Sequence, residues 1–266
     1  MVRTDTPADG QATPANDVSL DYLQILLDEL QARGLHYTPV MQSVNWDIEV
    51  PTALGFDLRH TDRIVTLIRT DEGSDLEVLD TDSGHFKTNY KLPIAVVGPI
   101  EIVRGWTSVD LRIRGKAVRF INTHLDGDCA DPAIQLAQAR EIIQGPVQDA
   151  REKDFPVILL GDLNSKADGT GTKTYAELLK PGLGFVDAWT EGGSRPGFTC
   201  CQNDDLLNTK SVLSDRRDYV LFRHGPFQVT DARVVGADPV ERTPSGLWPS
   251  DHAGVVVEFL LPPEDG

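Results

Sequence analysis

Apolar and polar positions alternate with two different periods along this chain. Leu20, Leu23, Leu27 and Leu30 fall three or four residues apart, with Asp21, Asp28, Glu29 and Gln31 between them and Gly34 after the last turn. That spacing predicts an amphipathic helix with a C-terminal glycine stop. Beyond it the period drops to two. Short β-rich runs are expected at 36–44, 63–69, 94–103, 106–113 and 117–123, broken by Gly, Pro or Asp clusters. WTSVDLRIR and KAVRFINTH, flanking Arg114 and Gly115, read as a hairpin. A second helix is expected over 132–144, with Ile134, Ala137, Ile142 and Ile143 sharing a face. FPVILLGDLN is a continuous apolar run ending in polar residues, the pattern of a strand buried on both faces. A short helix at TYAELLK and strands near 185–189, 218–223, 228–235 and 253–260 complete the series.

Strands outnumber helices, and the helices are dispersed among them, so the expected class is α+β, with sheets covered by helices. Residues 1–16 carry Pro, Ala, Thr and Asp without periodicity and read as a flexible arm, leaving 17–266 as a single domain. No window approaches the roughly 20 apolar residues of a membrane helix, and the first fifteen residues lack the apolar stretch of a signal peptide.

Composition narrows the function classes. The 266 residues are 40% hydrophobic and 25% charged, a folded composition, and the net charge is −16. Such an acidic chain is poorly suited to neutralising many phosphates of a long nucleic acid. Three cysteines, Cys129, Cys200 and Cys201, lack the paired spacing of a zinc site. A vicinal bridge between Cys200 and Cys201, a bridge from Cys129 to either, and three buried thiols are all open.

Chemistry is sought where apolar strands suddenly deliver His, Asp and Asn. RFINTHLD places Asn122 and His124 at a strand end. VILLGDLNS places Asp162 and Asn164 two apart, on one face if strand geometry continues. RRDYVLF opens a strand with Asp218, and WPSDHAGVVVEF opens the last with Asp251 and His252. Any one of these is ordinarily a turn or rim residue. Together, two His, three Asp and an Asn suit a divalent cation and a phosphate. Ser250, Asp251 and His252 cannot form a hydrolase relay, since consecutive extended residues face opposite ways and no G-x-S-x-G elbow exists. Asp126, Asp128 and Asp131 fail as a calcium loop, because position twelve is Ala137 and the glycine at position six is missing. ADGTGTK lacks the spacing of a phosphate loop.

THL at 123–125, GDLN at 161–164, RDYVL at 217–221 and SDH at 250–252 make the chain resemble the endonuclease/exonuclease/phosphatase superfamily, the fold of deoxyribonuclease I and its relatives. GFTCCQ at 197–202 and TDRIVTLIR at 61–69 resemble a bacterial branch whose members are often secreted. The resemblance implies a four-layer αββα sandwich of two mostly antiparallel sheets and a metal-dependent phosphoesterase. It assigns His252 as the base acting on water, Asp218 as its orienting partner, and Asp251 as a ligand of Mg²⁺ or of Mn²⁺ or Ca²⁺. Asp162 and Asn164 would hold the nucleophile, a phosphoryl oxygen and the metal. His124 would protonate the leaving oxygen, supported by Asp62. The family's N-terminal strands ending in Asn and in Gln-Glu have no counterpart, so the chain resembles an N-terminally truncated member lacking the principal Glu ligand. Asp47 or Glu49 would replace it only by accident of geometry. With a charge of −16, small phosphoesters or lipid headgroups are expected over long DNA. The alternative from another class is a catalytically silent domain that binds a phosphoester without turnover.

Overall fold

The computed structural model describes all residues except 11, 72–74, 95–97, 128–130, 195, 224, 226 and 262–266. The chain forms two compact units, residues 1–116 and 117–266. Both are mostly sheet with few helices.

In the first unit, strands β1 (Val2–Asp5), β2 (Asp17–Leu20), β3 (Tyr37–Pro51) and β4 (Asp57–Arg69) form a sheet in the order β2-β1-β4-β3. The flexible arm expected over 1–16 is thus a strand at its start. β1 lies antiparallel to β4, Val2 opposite His60 and Asp5 opposite Asp57, and it also pairs with β2. Its polarity hid it: backbone donors and acceptors on both sides, rather than an apolar face, hold it in place. Helix α1 (Tyr22–Ala32) sits where the leucine spacing put it, started by the Asp21 carboxylate accepting from the Leu23 and Gln24 amides. None of its residues is fully buried. β5 (Leu76–His85) pairs antiparallel with β8 (Gly105–Ile113), and β6 (Tyr90–Ile94) with β7 (Gly98–Ile102). Arg114 and Gly115 take φ of 49° and 85° in the turn after β8, the two positive values that a tight hairpin turn demands.

The second unit is built on β9 (Lys116–His124), β10 (Val157–Asp162), β11 (Val186–Asp187) and β12 (Asp218–Arg223), ordered β11-β12-β10-β9. β10 runs parallel to β9 and antiparallel to β12. A parallel neighbour requires a crossover, supplied by helices α2 (Pro132–Gln144) and α3 (Pro146–Glu152). Ile121, Leu159, Leu221, Ile142 and Val147 are at most 1% exposed and form the core between strands and helices. The face that α2 buries differs from the expected one: Gln135, Gln138, Ala139 and Ile142 are inside. The two glutamines bond buried polar groups, which apolar periodicity cannot register. β13 (Gln228–Val235) and β14 (Gly254–Leu260) form an antiparallel pair, with β14 packed on β12 and α5 (Ala188–Gly192) packed on β13. No helix among the described residues is long and apolar enough to cross a membrane.

Candidate active site

Strand register determines which polar residues meet. Asp162 ends β10 and lies opposite His124 of β9 on one side and Asp218 of β12 on the other. Neighbouring strands run about 4.8 Å apart, so three candidate side chains emerge from adjacent positions at one sheet end. His124 Nε2 is 3.4 Å from Asp162 Oδ2. Gly161 makes this packing possible. Its φ is 135°, and a Cβ there would stand 1.9 Å from the Thr123 carbonyl oxygen, so only glycine fits beside β9.

His252 arrives from the loop before β14. It is held by the segment Thr199–Cys200, which forms bridges to both Asp215 and His252. Thr199 Oγ1 accepts from the Arg217 amide at 3.0 Å and the Asp218 amide at 3.2 Å, and the Thr199 carbonyl accepts from the Ala253 amide at 2.8 Å. One threonine therefore ties the start of β12 to the SDH loop. His252 Nδ1 lies 2.8 Å from Asp218 Oδ2 and 4.0 Å from Asp162 Oδ2. The bond to Asp218 pushes the imidazole pKa up to about 8, against the opposing effect of burial and with help from the charges of Asp218, Asp162 and Asp251. In neutral His252 the proton rests on Nδ1, donated to Asp218, and the lone pair is on Nε2. Nε2 lies 3.6 Å from Cys201 Sγ.

The sulfurs of Cys200 and Cys201 are joined in a vicinal disulfide, the first of the three open pairings. They are accordingly not thiolate ligands. Cys129 and Asp128 lie outside the described residues.

Asn164 is placed differently from the expectation. Strand geometry stops at Asp162, and Asn164 has φ 50°, so the two side chains do not share a face. Its Nδ2 donates to the Leu125 carbonyl at 2.9 Å, while its backbone amide donates to Asp162 Oδ1 at 2.8 Å. Gln135 Nε2 donates to the carbonyls of Asp126 and Asn164 at 2.7 and 3.0 Å, and Gln138 Nε2 donates to Asp126 Oδ2 at 2.7 Å. α2 thus locks the two loops that follow His124 and Asp162, a buried role that the sequence pattern did not signal.

Asp162, Asp218 and His252 each offer a ligand atom, all within 4.8 Å of one another. Two carboxylates and an imidazole suit a hard or borderline divalent cation. Asp251 is exposed, bonded to Ser250 Oγ at 3.3 Å, and is outside that group of three. Asp62 belongs to β4 in the first unit, where its carboxylate accepts from Asn45 Nδ2 at 2.9 Å and Arg104 Nη1 at 3.4 Å. Asn122 is on β9, two residues before His124.

The family model described as the Endonuclease/Exonuclease/phosphatase family matches residues 31–252. Among curated proteins none matches. Solved structures share the fold. Truncated Caenorhabditis elegans TDP2 is similar with 18% identity and a TM-score of 0.56, over 91% of this chain and 81% of that one. A mannosyl-6-phosphatase from Bacteroides thetaiotaomicron is similar with 15% identity and a TM-score of 0.53, over 89% and 90%. The catalytic domain of human nocturnin, with bound sulfate, is similar with 17% identity and a TM-score of 0.56, over 91% and 77%.

Proposed function

Because the chain belongs to the Endonuclease/Exonuclease/phosphatase family, whose members are divalent-metal-dependent hydrolases of phosphoesters, we propose that His124, Asp162, Asp218 and His252 form the active site of a phosphoesterase. The carrying observation is the 2.8 Å bond between His252 Nδ1 and Asp218, beside a second acid, Asp162. A histidine whose Nδ1–H is held by a carboxylate presents Nε2 as a base, and that is the group a water nucleophile needs. Asp162 orients that water. His124, its Nε2 beside Asp162, delivers a proton to the leaving oxygen. Asn164 braces the Asp162 loop, its amide donating to Asp162 Oδ1 and its side chain to the Leu125 carbonyl.

Asp162 is the carboxylate that would hold a divalent cation, joined by Asp251 from the neighbouring loop. When bound, such a cation neutralises phosphoryl oxygens and stabilises developing charge. Asp218 already serves His252, so the carboxylate supply is thin, and turnover in this chain is slow. A net charge of −16 favours small phosphodiesters, phosphomonoesters or lipid headgroups over long DNA.

Hydrolysis of bis(p-nitrophenyl) phosphate and p-nitrophenyl phosphate, with Mn²⁺ or with chelator, tests the proposal. Slow turnover of at least one ester, abolished by chelator and by His252→Asn, is expected. Phosphate binding without any metal-dependent turnover would refute it and favour a silent phosphoester-binding domain.

A further inference from the structure

A second acidic cluster lies within the first unit, built by the pairing of β1 with β4. Asp5 is directly opposite Asp57 across that antiparallel ladder. On the other side of β4, Pro51 is opposite Asp57 and Glu49 is opposite Arg59. Side chains alternate with period two, so Asp5, Asp57 and Glu49 share one face. Each offers a carboxylate oxygen, and the three lie within 4.8 Å of one another.

Two features separate this cluster from a solvated acidic surface. The first is burial: Asp57 is 0% exposed and the Glu49 side chain 7%. The second is the state of the oxygens. One oxygen of each acid is engaged: Asp57 Oδ2 accepts from the Asp9 amide at 2.8 Å, Glu49 Oε2 from the Ala15 amide at 3.0 Å, and Asp5 Oδ2 from Thr13 Oγ1 at 3.4 Å. The other three oxygens, Asp5 Oδ1, Glu49 Oε1 and Asp57 Oδ1, are buried without a hydrogen-bond partner. Like charges directly opposite on paired strands repel, and a buried carboxylate without a partner is costly.

The basic groups nearby do not resolve the imbalance. Arg59 is committed to Asp47 through Nε and Nη2 at 2.9 and 2.6 Å, and its Nε approaches Glu49 Oε2 only to 4.0 Å. Arg3 donates to Thr61 Oγ1 at 3.0 Å.

We propose that Asp5, Glu49 and Asp57 are the protein ligands of a structural calcium ion that clamps β1 onto β4. Calcium takes six to eight oxygens at about 2.4 Å, so two of its ligands stand no more than about 4.8 Å apart, and the three acids each place a carboxylate oxygen within that limit of the others. An all-carboxylate set favours a hard cation over Zn²⁺ and Cu²⁺, which prefer imidazole or sulfur ligands. Mg²⁺ keeps several waters and suits one or two carboxylates, a poorer match to three converging acids, two of which already accept from the Asp9 and Ala15 amides. The clamp is separate from the proposed catalytic residues and does not depend on the phosphoesterase reading.

Thermal unfolding and equilibrium dialysis of the full chain with CaCl₂ alone test this. Calcium at about a hundredfold over Kd is expected to raise Tm by roughly 5 to 10 °C by mass action, with one ion retained per chain by the clamp. Asp57→Asn and Glu49→Gln should each abolish the shift, and in chelator each should melt no lower than the wild type, because repulsion is relieved. The double variant Asp162→Asn, Asp218→Asn should keep the shift and the retained ion. An unchanged shift in Asp57→Asn or Glu49→Gln, or a wild type that neither binds nor is stabilised by millimolar calcium, would overturn the proposal. So would a shift that disappears only in the double variant. Should Asp57→Asn fail to fold even with calcium, the Glu49→Gln protein and the wild-type stoichiometry decide alone.

Discussion

Replacing Asp218 by Asn isolates the bond on which the proposed base depends. His252 is raised from 6.5 to about 8, a difference of about 1.5 units, and each unit is worth 1.36 kcal/mol. The folded protein therefore gains about 2 kcal/mol from protonated His252, whose side chain is 23% exposed and only modestly screened. The sign follows from the direction of the shift. With a folded-state pKa above the unfolded value, that stabilisation is fully present below about pH 6.5 and is lost as pH rises through about 8. In Asp218→Asn the largest raising influence is gone and burial still lowers the pKa, so His252 should titrate near or below 6.5, with Asp162 and Asp251 preventing a steeper fall. Imidazole NMR titration in chelator reads the pKa directly, and denaturant unfolding at pH 6 and pH 9 reads the linked stability. The wild type should lose about 2 kcal/mol more than the variant between those two values. A His252 that still titrates near 8 in Asp218→Asn would refute the attribution. For turnover, the variant should lose kcat far more than it raises KM, since Asp218 acts on the base and not on substrate.

Three further outcomes test the scaffold. Gly161→Ala should destabilise by more than about 4 kcal/mol or prevent folding, because its Cβ would meet the Thr123 carbonyl; circular dichroism melts check it, and a loss under about 1 kcal/mol would contradict the close approach of β9 and β10. Asp187→Asn should cost about 3 to 5 kcal/mol, since Arg216 donates to Asp187 Oδ2 at 2.7 Å while buried among Tyr175, Trp189 and Tyr219; urea unfolding measures it, and near-neutrality would show that the aromatic rings alone hold the guanidinium. Leu159→Ala, at a fully buried position of β10, should cost about 2 to 5 kcal/mol in the same assay, and a smaller loss would mean that the sheet collapses around the missing methyls.

Elements with a strong apolar rhythm were legible from the residues. β8, β9, β10, β12, β13 and β14 lie where alternating or continuous apolar runs placed them, since one or both faces of each must leave water. β5 carried no such signal: LEVLDTDSGH is largely exposed, and its pairing with β8 is a matter of backbone bonds. β1 was missed for the same reason. In α2 the signal misled, because Gln135 and Gln138 are buried in place of the isoleucines at 134 and 143. A polar residue enters a core when it satisfies other buried polar groups, here the Asp126 and Asn164 carbonyls, and that demand is visible only once the chain is folded.

The two carboxylate clusters show where residue reading stops for a related reason. His124, Asp162 and Asp218 each stand at a strand end in the sequence, so their candidacy could be argued singly, but their meeting depends on β10 lying between β9 and β12 in register. Parallel pairing across a two-helix crossover is a long-range choice that no local window encodes. Asp5, Glu49 and Asp57 had no signal at all, being separated by a helix and by a turn and carried by strands of mixed character. What joins them is again register, one residue of which would turn each carboxylate to the opposite face. A sheet that tolerates Asp opposite Asp in a buried position must neutralise the pair, by a proton or by a cation. The backbone amides of Asp9 and Ala15 each bind one oxygen of two of these acids, the oxygens that remain are buried without a hydrogen-bond partner, and that is the physical ground for placing a cation there.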